Sequence, residues 1–360
     1  MSKKGVANAL GVDPGTMFFQ VAYEDENKKV KIKSVRNAFV ELDATEDTEE
    51  ILRQNDWQYI EDEGKIYIIG EDSLRIAKML PGKVELRRPM QDGVLNKGEE
   101  KKNLVMAELI EQSVGKAPDE KSVICTCVSS ESADGSVDSR YHQARLSGMF
   151  TRLGWNVKII EEGHAVVLSQ NPIMIEEDGS TSSYSGIGLS FGAGRVNCVL
   201  ARKGLHILGI SCARAGDWVD RQVSEQTDVP ISQVISAKEK KLNFENIDLE
   251  DDLLFALDVY YGAMIEYVFK IFGERFREVK SDFEVPLEIV VAGGTSMPRG
   301  FCKKLEQVIR GMKLPFEISK IRHADDPRNA VVEGCLLQAI LYKKRLGASN
   351  EDKKLTDIIG

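Results

Sequence analysis

Nowhere in the 360 residues do 18 uncharged apolar residues follow one another, and Met1 to Leu10 carries Lys3 and Lys4 without an apolar run of leader length. That pattern excludes a membrane-spanning helix and a secretory signal, so a soluble cytoplasmic protein is expected. Cysteine is scarce as well: six residues, at 125, 127, 198, 212, 302 and 335, too scattered for a disulfide scaffold. Only Cys125 and Cys127 lie close together, two apart on one face of a predicted strand, so buried thiols in a reducing compartment are expected. There are four histidines, and positive charge falls short, with 48 Lys and Arg against 57 Asp and Glu and a net charge of −9. A chain that coats nucleic acid is therefore not expected, and no nucleic-acid partner. Apolar residues are not lacking: at 42% hydrophobic the chain can bury a core, which rules out disorder for most of it. Its length suits two domains or one two-lobed body.

Strand patterns open the sequence. Val6 to Asp13 is followed by a Pro14-Gly15-Thr16 turn, and Met17 to Glu24 and Val30 to Val35 form a hairpin across Asp25-Glu26-Asn27-Lys28. Glu41 to Asp56 is acidic, and Trp57 to Ile60 with Lys65 to Ile69 reads as a small hairpin inside an inserted subdomain. Helical periodicity follows at Glu99 to Ser113 and Asp138 to Leu153, alternating with β-rich runs at Ser122 to Val128 and Val157 to Glu161. That alternation indicates α/β layers.

Asn171 to Ser185 is acidic and then rich in Gly, Ser and Thr, which marks a lobe boundary. The second half then opens as the first did, with Gly186 to Ser190, the turn Gly192-Ala193-Gly194, a strand at Val196 to Ala201, a Lys203-Gly204 turn and a strand at Leu205 to Ile210. Superposing Gly15 on Gly192 gives an offset of 177 residues (192 minus 15) and keeps the strand and turn order, the pattern of an internal duplication. Helices are predicted at Asp217 to Gln226, Ser232 to Leu242 and Asp251 to Arg277. A strand at Leu287 to Ala292 leads to Gly293-Gly294, a helix from Pro298 to Gly311 and a last helix from Asn329 to Arg345. The polar end, Gly347 to Gly360, is expected to fray.

Three small-residue turns carry the chemistry. In Asp13-Pro14-Gly15-Thr16 a glycine lets backbone N–H groups approach a phosphate, a hydroxyl can donate to it, and a carboxylate at the strand end can hold magnesium through water. An ordinary hairpin turn fits the same residues. Gly192-Ala193-Gly194 occupies the same place in the second half, where two facing turns would clamp a polyphosphate; a hairpin needing glycine for positive φ is the plain alternative. Val290 to Met297 runs a buried strand into paired glycines, on which a base or ribose can lie against bare backbone.

In this order the three turns resemble the phosphate-one, phosphate-two and adenosine motifs of the actin and heat-shock-chaperone ATPase superfamily. Gly70-Glu71-Asp72, Ala77 to Gly82 and Arg88-Pro89-Met90-Gln91-Asp92-Gly93-Val94 are similar to the stretch that characterises bacterial cell-shape (MreB-type) and magnetosome actins. The resemblance spans Gly11 to about Ala339. It implies a duplicated actin-like (ribonuclease-H-like) α/β fold, with two lobes and four subdomains around a nucleotide cleft. Lobe I would be 1–180, with a small inserted subdomain at about 36–84, completed by 330–360, and lobe II would be 186–329. The implied cofactors are ATP and Mg²⁺, and the implied partner is a second copy, stacking head to tail into cytoskeletal filaments.

Residue by residue, Asp13 matches the aspartate near the metal. Gly15, Thr16, Gly192, Ala193, Gly194 and Arg195 fall at phosphate-contacting positions, and Glu162 falls where bacterial actins carry the glutamate that positions the attacking water. A carboxylate suits that task by accepting a proton from water as the γ-phosphoryl leaves; a solvated charge at a strand end is the plain alternative. Their following proline is Gly163 here. Gly216 and Asp217 match the helix start beneath the nucleotide, and Lys238 and Glu239 match the ribose- and base-contacting helix, although a charge run is more often a solvated face. Gly293, Gly294, Thr295 and Met297 complete the nucleoside side.

The departures lie in phosphate-two, written D-x-G-G-G-T in bacterial actins. Here the aspartate is Ser190, the middle glycine is Ala193 and the threonine is Arg195. Two polar groups near phosphate and metal are missing, and a single transition-state interaction is commonly worth about 3–4 kcal/mol, so weak ATP hydrolysis is expected. Arg195 either meets phosphate directly or points to solvent from its strand. Two rival readings remain: a non-polymerising nucleotide-binding scaffold or pseudo-ATPase, and a sugar or acetate kinase, for which no substrate-binding motif is present. Membrane, cell-shape or organelle-positioning partners accord with the resemblance, but Met1 to Asn8 is too poor in large apolar residues for an anchor. Met79-Leu80-Pro81 is expected as a buried turn, with a membrane-inserting loop as the alternative.

Overall fold

The computed structural model describes residues 7–359 apart from 56, 81, 96–99, 136–138, 171–173, 176–180, 183 and 280–285. Contacts divide them into two units. One holds the chain through Thr126, Arg140–Ile159 and Gln338 onward; the other holds Cys127–Ser139 and Ile160–Leu337.

Unit 1 opens with β1 (Ala9–Pro14), β2 (Phe18–Glu24) and β3 (Val30–Arg36), the three strands the alternating pattern predicts. The acidic stretch after them is not a bare insert. It contains β4 (Phe39–Asp43) and α1 (Glu46–Asn55), the helix entered through Thr45, whose hydroxyl accepts the Thr48 N–H at 3.2 Å. Next come β5 (Tyr59–Asp62), β6 (Lys65–Ile69), α2 (Glu71–Met79) and the short pair β7 (Met90–Gln91) and β8 (Val94–Leu95). Strands β4, β6 and β5 form a small sheet in that order, with a core of Val40, Leu52, Trp57, Ile66, Ile68 and Ile76. Helix α2 carries Met79 to its end, 62% exposed, so the expected burial at 79–81 does not hold at Met79; Pro81 lies outside the described residues. Unit 1 continues with α3 (Glu100–Val114), β9 (Val123–Val128), α4 (Ser139–Arg152) and β10 (Asn156–Glu161), the last three running across the division so that Cys127, Val128, Ser139, Ile160 and Glu161 group with unit 2.

Unit 2 contains α5 (Glu162–Ser169), the short pair β11 (Met174–Ile175) and β12 (Thr181–Ser182), then β13 (Gly186–Phe191), β14 (Val196–Arg202) and β15 (Leu205–Cys212). Helices α6 (Gly216–Thr227), α7 (Ile231–Lys240) and α8 (Asp252–Phe276) follow, then β16 (Leu287–Ala292), α9 (Phe301–Arg310) and β17 (Ile318–His323). Helix α10 (Ala330–Ile359) starts here and runs on past Gly347, across the polar end where the sequence leads one to expect fraying. Residues 162–169, which the resemblance assigns to the first lobe without a predicted helix, form α5, which packs on β13 and β14 and groups with unit 2.

The two main sheets have the same topology. One has the order β10-β9-β1-β2-β3 and the other β17-β16-β13-β14-β15, with the first hairpin strand parallel to its crossover neighbour and antiparallel to its hairpin neighbour in each. The correspondence holds residue by residue. Pro14 faces Phe19 and Asp13 faces Gln20; 177 residues on, Phe191 faces Val196 and Ser190 faces Asn197. The offset read from the glycines is thus the register of the hairpins, and the duplicated α/β fold is established.

Local chemistry explains which strands sit where. Every residue of β13 is buried, as expected of a strand with a parallel neighbour and covered faces, whereas β3 at a sheet edge is largely exposed and carries Lys31 and Lys33. Helix α8 is capped by Asp251, whose carboxylate accepts the N–H groups of Leu253 and Leu254 at 3.0 and 3.1 Å. Its Leu257, Tyr261, Met264, Ile265, Val268 and Phe272, at helical spacing, join the core over the unit 2 sheet. All six cysteines are free, five buried and Cys302 half-buried. No helix among the described residues is long and apolar enough to cross a membrane.

One buried group ties stability to pH. His142 on α4 accepts the Leu95 N–H through Nδ1 at 3.2 Å and is 2% exposed, and burial lowers its pKa from 6.5 to about 4. Between those values the unfolded chain binds a proton that the folded chain does not, so stability falls as pH drops through that window. Urea unfolding at pH 7 and pH 4.5 is expected to differ by about 2–3 kcal/mol from this residue, and His142→Gln, which keeps an acceptor without a titrating ring, should remove that share of the acid limb.

Candidate functional site

In unit 1 the chain leaves β1 at Pro14 and re-enters as β2 at Phe18. The glycine in this turn is not required by backbone handedness, since neither Gly15 nor Gly192 has positive φ. It is required by closeness: a Cβ on Gly15 would lie 2.8 Å from the Phe18 carbonyl oxygen. Asn37, fully buried, fastens the turn from behind, its Nδ2 donating to the Gly15 carbonyl at 2.9 Å and its backbone N–H to that of Met17 at 3.0 Å. Thr16 is buried and Asp13 half-buried at the strand end. Asn37 carries no motif, and sequence reasoning did not single it out.

The turn in unit 2 repeats this arrangement. A Cβ on Gly192 would lie 2.9 Å from the Arg195 carbonyl oxygen, the same three-residue relation 177 positions later, and the Gly192 N–H donates to that oxygen at 3.0 Å. Here the Gly192 carbonyl is held from behind by the Thr295 hydroxyl at 2.8 Å and the Gly216 N–H at 3.1 Å, while the Asp217 N–H takes the Ala193 carbonyl at 2.8 Å. The first two N–H groups of α6 therefore secure the turn's carbonyls, and no Cβ fits on Gly216, where it would meet the Thr295 hydroxyl.

Beside them lies the 3-10 turn Gly294–Ser296. Gly293 has φ 95° and is pressed onto the Phe191 backbone, whereas a Cβ on Gly294 would meet nothing within 4 Å. The turn is fastened by Ser296 Oγ to the Gly293 carbonyl at 2.7 Å, Tyr261 OH to the Thr295 carbonyl at 3.1 Å and His323 Nε2 to the Ser296 carbonyl at 2.9 Å. Met297 is 41% exposed. Gly192, Ala193, Gly216, Asp217, Gly293 and Thr295 are thus brought together, and the 6%-exposed Thr295 serves the phosphate-two turn with its hydroxyl. Lys238 on α7 pairs with Asp220 on α6 at 2.6 Å, while Glu239 stands exposed. Asp13, Gly15 and Thr16 belong to unit 1.

Glu162 begins α5, which fits the sheet through glycines: a Cβ on Gly163 would lie 2.9 Å from Val199 Cγ2 and 3.0 Å from the Gly188 carbonyl. One carboxylate oxygen of Glu162 accepts the Ser190 hydroxyl at 2.5 Å and the other accepts Asn197 Nδ2 at 2.7 Å. Ser190, which stands where the resemblance leads one to expect an aspartate, therefore holds the Glu162 carboxylate directly. Next to it, Glu161 accepts Ser130 Oγ at 2.5 Å and pairs with His206 at 3.0 Å. Burial pushes the Glu161 carboxyl up, but the hydrogen bonds from His206 and Ser130 outweigh it and leave it lowered. The bond to Glu161 raises His206 against burial.

Arg195 does not reach solvent, which removes that alternative. It is 3% exposed, with Nε on Ser211 Oγ and Nη2 on Ser132 Oγ, both at 3.0 Å, and Asp134 Oδ1 at 3.7 Å. A buried guanidinium requires such partners, and they fix its side chain within the unit.

The Volactin family model matches residues 9–339. Among solved structures, the chain is similar to the MamK double helical filament, with a TM-score of 0.65 and 18% identity over 92% of this chain and 98% of that one. It is similar to MreB 5 of Spiroplasma citri bound to AMPPNP, with a TM-score of 0.64 and 12% identity over 96% and 98%, and to the same protein bound to ADP, at 0.63 and 13%. No curated protein sequence matches. These structures share the actin-like fold expected from the three turns.

Proposed function

The chain belongs to the volactin family, and from that premise we propose that it is a cytoskeletal protein that binds ATP with Mg²⁺, polymerises head to tail and hydrolyses ATP slowly to time disassembly. The observation that carries the reading is the unit 2 constellation, in which two glycine turns and a helix start lock one another while Glu162 is held beside them by Ser190.

The residues suit the nucleotide. Gly294 leaves backbone open where a flat base can approach, and Gly293 beside it keeps the strand end too close-packed for a side chain. Magnesium needs one or two carboxylates besides substrate phosphates. Asp13, half-buried at the end of β1, would supply one of them to an ion held mainly through phosphate oxygens. When bound, that ion would neutralise phosphate charge. Gly192 to Gly194 and Thr16 would bind and orient the phosphates, and Glu162 would orient the attacking water and take its proton. Solved relatives described as a filament and as AMPPNP- and ADP-bound proteins support assembly and nucleotide binding as the reading.

A second reading, a nucleotide-binding scaffold that does not polymerise, is favoured by Ser190 in place of the aspartate and by the commitment of Arg195 to Asp134. Ultracentrifugation with and without ATP separates the two. The chain is expected in the pellet with ATP and Mg²⁺ and in the supernatant without nucleotide, with phosphate released after assembly. A chain that binds ATP yet stays in the supernatant at every concentration would favour the scaffold.

A further inference from the structure

We propose that Asn197, which belongs to none of the nucleotide motifs, is the positioning residue for Glu162. Ser190 and Asn197 are directly opposed on β13 and β14, so their side chains leave the sheet side by side on one face. The first turn of α5 lies over that face, and Glu162 places one carboxylate oxygen on each: Oε1 on the Ser190 hydroxyl at 2.5 Å and Oε2 on Asn197 Nδ2 at 2.7 Å. The other end of the amide is also used, since Asn197 Oδ1 accepts the Ser130 N–H at 3.1 Å. This fixes the amide orientation: reversed, it would set an oxygen against a carboxylate and an NH₂ against an N–H. Asn197 is fully buried and Ser190 is 1% exposed, so water does not replace either donor cheaply.

The duplication gives independent support. In unit 1 the equivalent opposed pair is Asp13 and Gln20, a carboxylate facing an amide. In unit 2 the carboxylate comes instead from α5, the hydroxyl at 190 makes room for it, and the amide remains. An Asp at 190 would set one carboxylate against another unless a proton or cation lay between them. A glutamate at a helix start has three free torsions; two donors on neighbouring strands reduce them to a single setting. Misplacing a reacting group by about 1 Å can cost on the order of 10²-fold in rate.

This inference rests on the hydrolytic reading, so its test has two arms. In single-turnover phosphate release, Asn197→Asp, which matches the shape but turns the donor into an acceptor, is expected to slow the reaction about 10²-fold while ATP affinity changes less than about threefold. Asn197→His, whose ring can donate to Glu162 and accept from the Ser130 N–H, should retain most of the rate. A merely structural residue would rank them the other way, because aspartate preserves volume and histidine does not. In thermal unfolding without nucleotide, Asn197→Asp should lower Tm by several degrees, and adding Glu162→Gln should restore much of the loss by rebuilding an amide–carboxylate pair in the opposite sense. Parent-like phosphate release by Asn197→Asp, or melting shifts that simply add in the double variant, would overturn the proposal. A parent chain that binds ATP and releases no phosphate would overturn the hydrolytic reading alone, and the melting arm would still decide whether the clamp exists.

Discussion

Glu162→Gln is expected to slow phosphate release on the order of 10²–10³-fold while leaving ATP-dependent sedimentation in place. Glutamine keeps the length of the side chain and its acceptor toward Ser190, but it cannot take a proton from water. Its NH₂ also points at Asn197 Nδ2, a donor against a donor where the parent has a 2.7 Å hydrogen bond. The lost proton acceptor acts on the transition state and the broken clamp loosens the side chain in the resting fold as well, whereas the contacts that secure the two glycine turns lie elsewhere: Thr295 on Gly192, Asp217 on Ala193, and Asn37 on Gly15. Nucleotide binding and assembly should therefore survive, and if hydrolysis times disassembly the variant's polymers should outlast those of the parent. Pelleting time courses run beside phosphate release check both statements. Parent-like turnover would remove Glu162 from the chemistry, and loss of sedimentation along with turnover would make it an element of the fold.

What the sequence discloses and what it conceals follow from the range of the interactions. The hairpins are legible because alternation and turn chemistry act between neighbours, and the 177-residue offset emerged from two glycines that share one steric requirement, closeness to the carbonyl three residues on. Positive φ, the plain alternative offered for the Gly192-Ala193-Gly194 turn, is not what requires Gly192 there. Helix α5 was not legible, since eight residues with a glycine in second place are too few for a helical period to declare itself. Nor could sequence indicate what buried polar side chains do. Asn37 reaches back to Gly15, Asn197 to Glu162 and Thr295 to Gly192, each across an interval that only the folded sheet closes. Arg195 shows the same limit: solvent was one alternative the sequence offered, and the fold supplied Asp134, Ser132 and Ser211 instead.

The catalytic proposal depends on where α5 sits, and one glycine tests that placement. A Cβ on Gly334 of α10 would land on the Ala165 carbonyl of α5 and lie 2.9 Å from the Ala165 Cα, so the obstruction is backbone and cannot rotate away. On its other side α5 is pressed to the sheet, where a Cβ on Gly188 would meet the Gly163 carbonyl and Val167 Cγ2. With glycine contacts on both sides the helix has no slack. Gly334→Ala is therefore expected to lose about 3 kcal/mol or more, although alanine is the better helix former. Chains that still fold should hydrolyse far more slowly than they bind ATP, because α5 must shift and Glu162 moves with it relative to Ser190 and Asn197. Gly148→Ala is the matched comparison: it too is a mid-helix glycine, but its added Cβ meets nothing within 4 Å. Propensity alone then acts, and stability should rise by about 0.5–1 kcal/mol. Opposite signs for one chemical change in two helices, read by denaturant unfolding, would assign the Gly334 effect to the α5 contact. If Gly334→Ala melted with the parent, α5 would have room to move, and the rigid placement of Glu162 on which its assigned role depends would be lost.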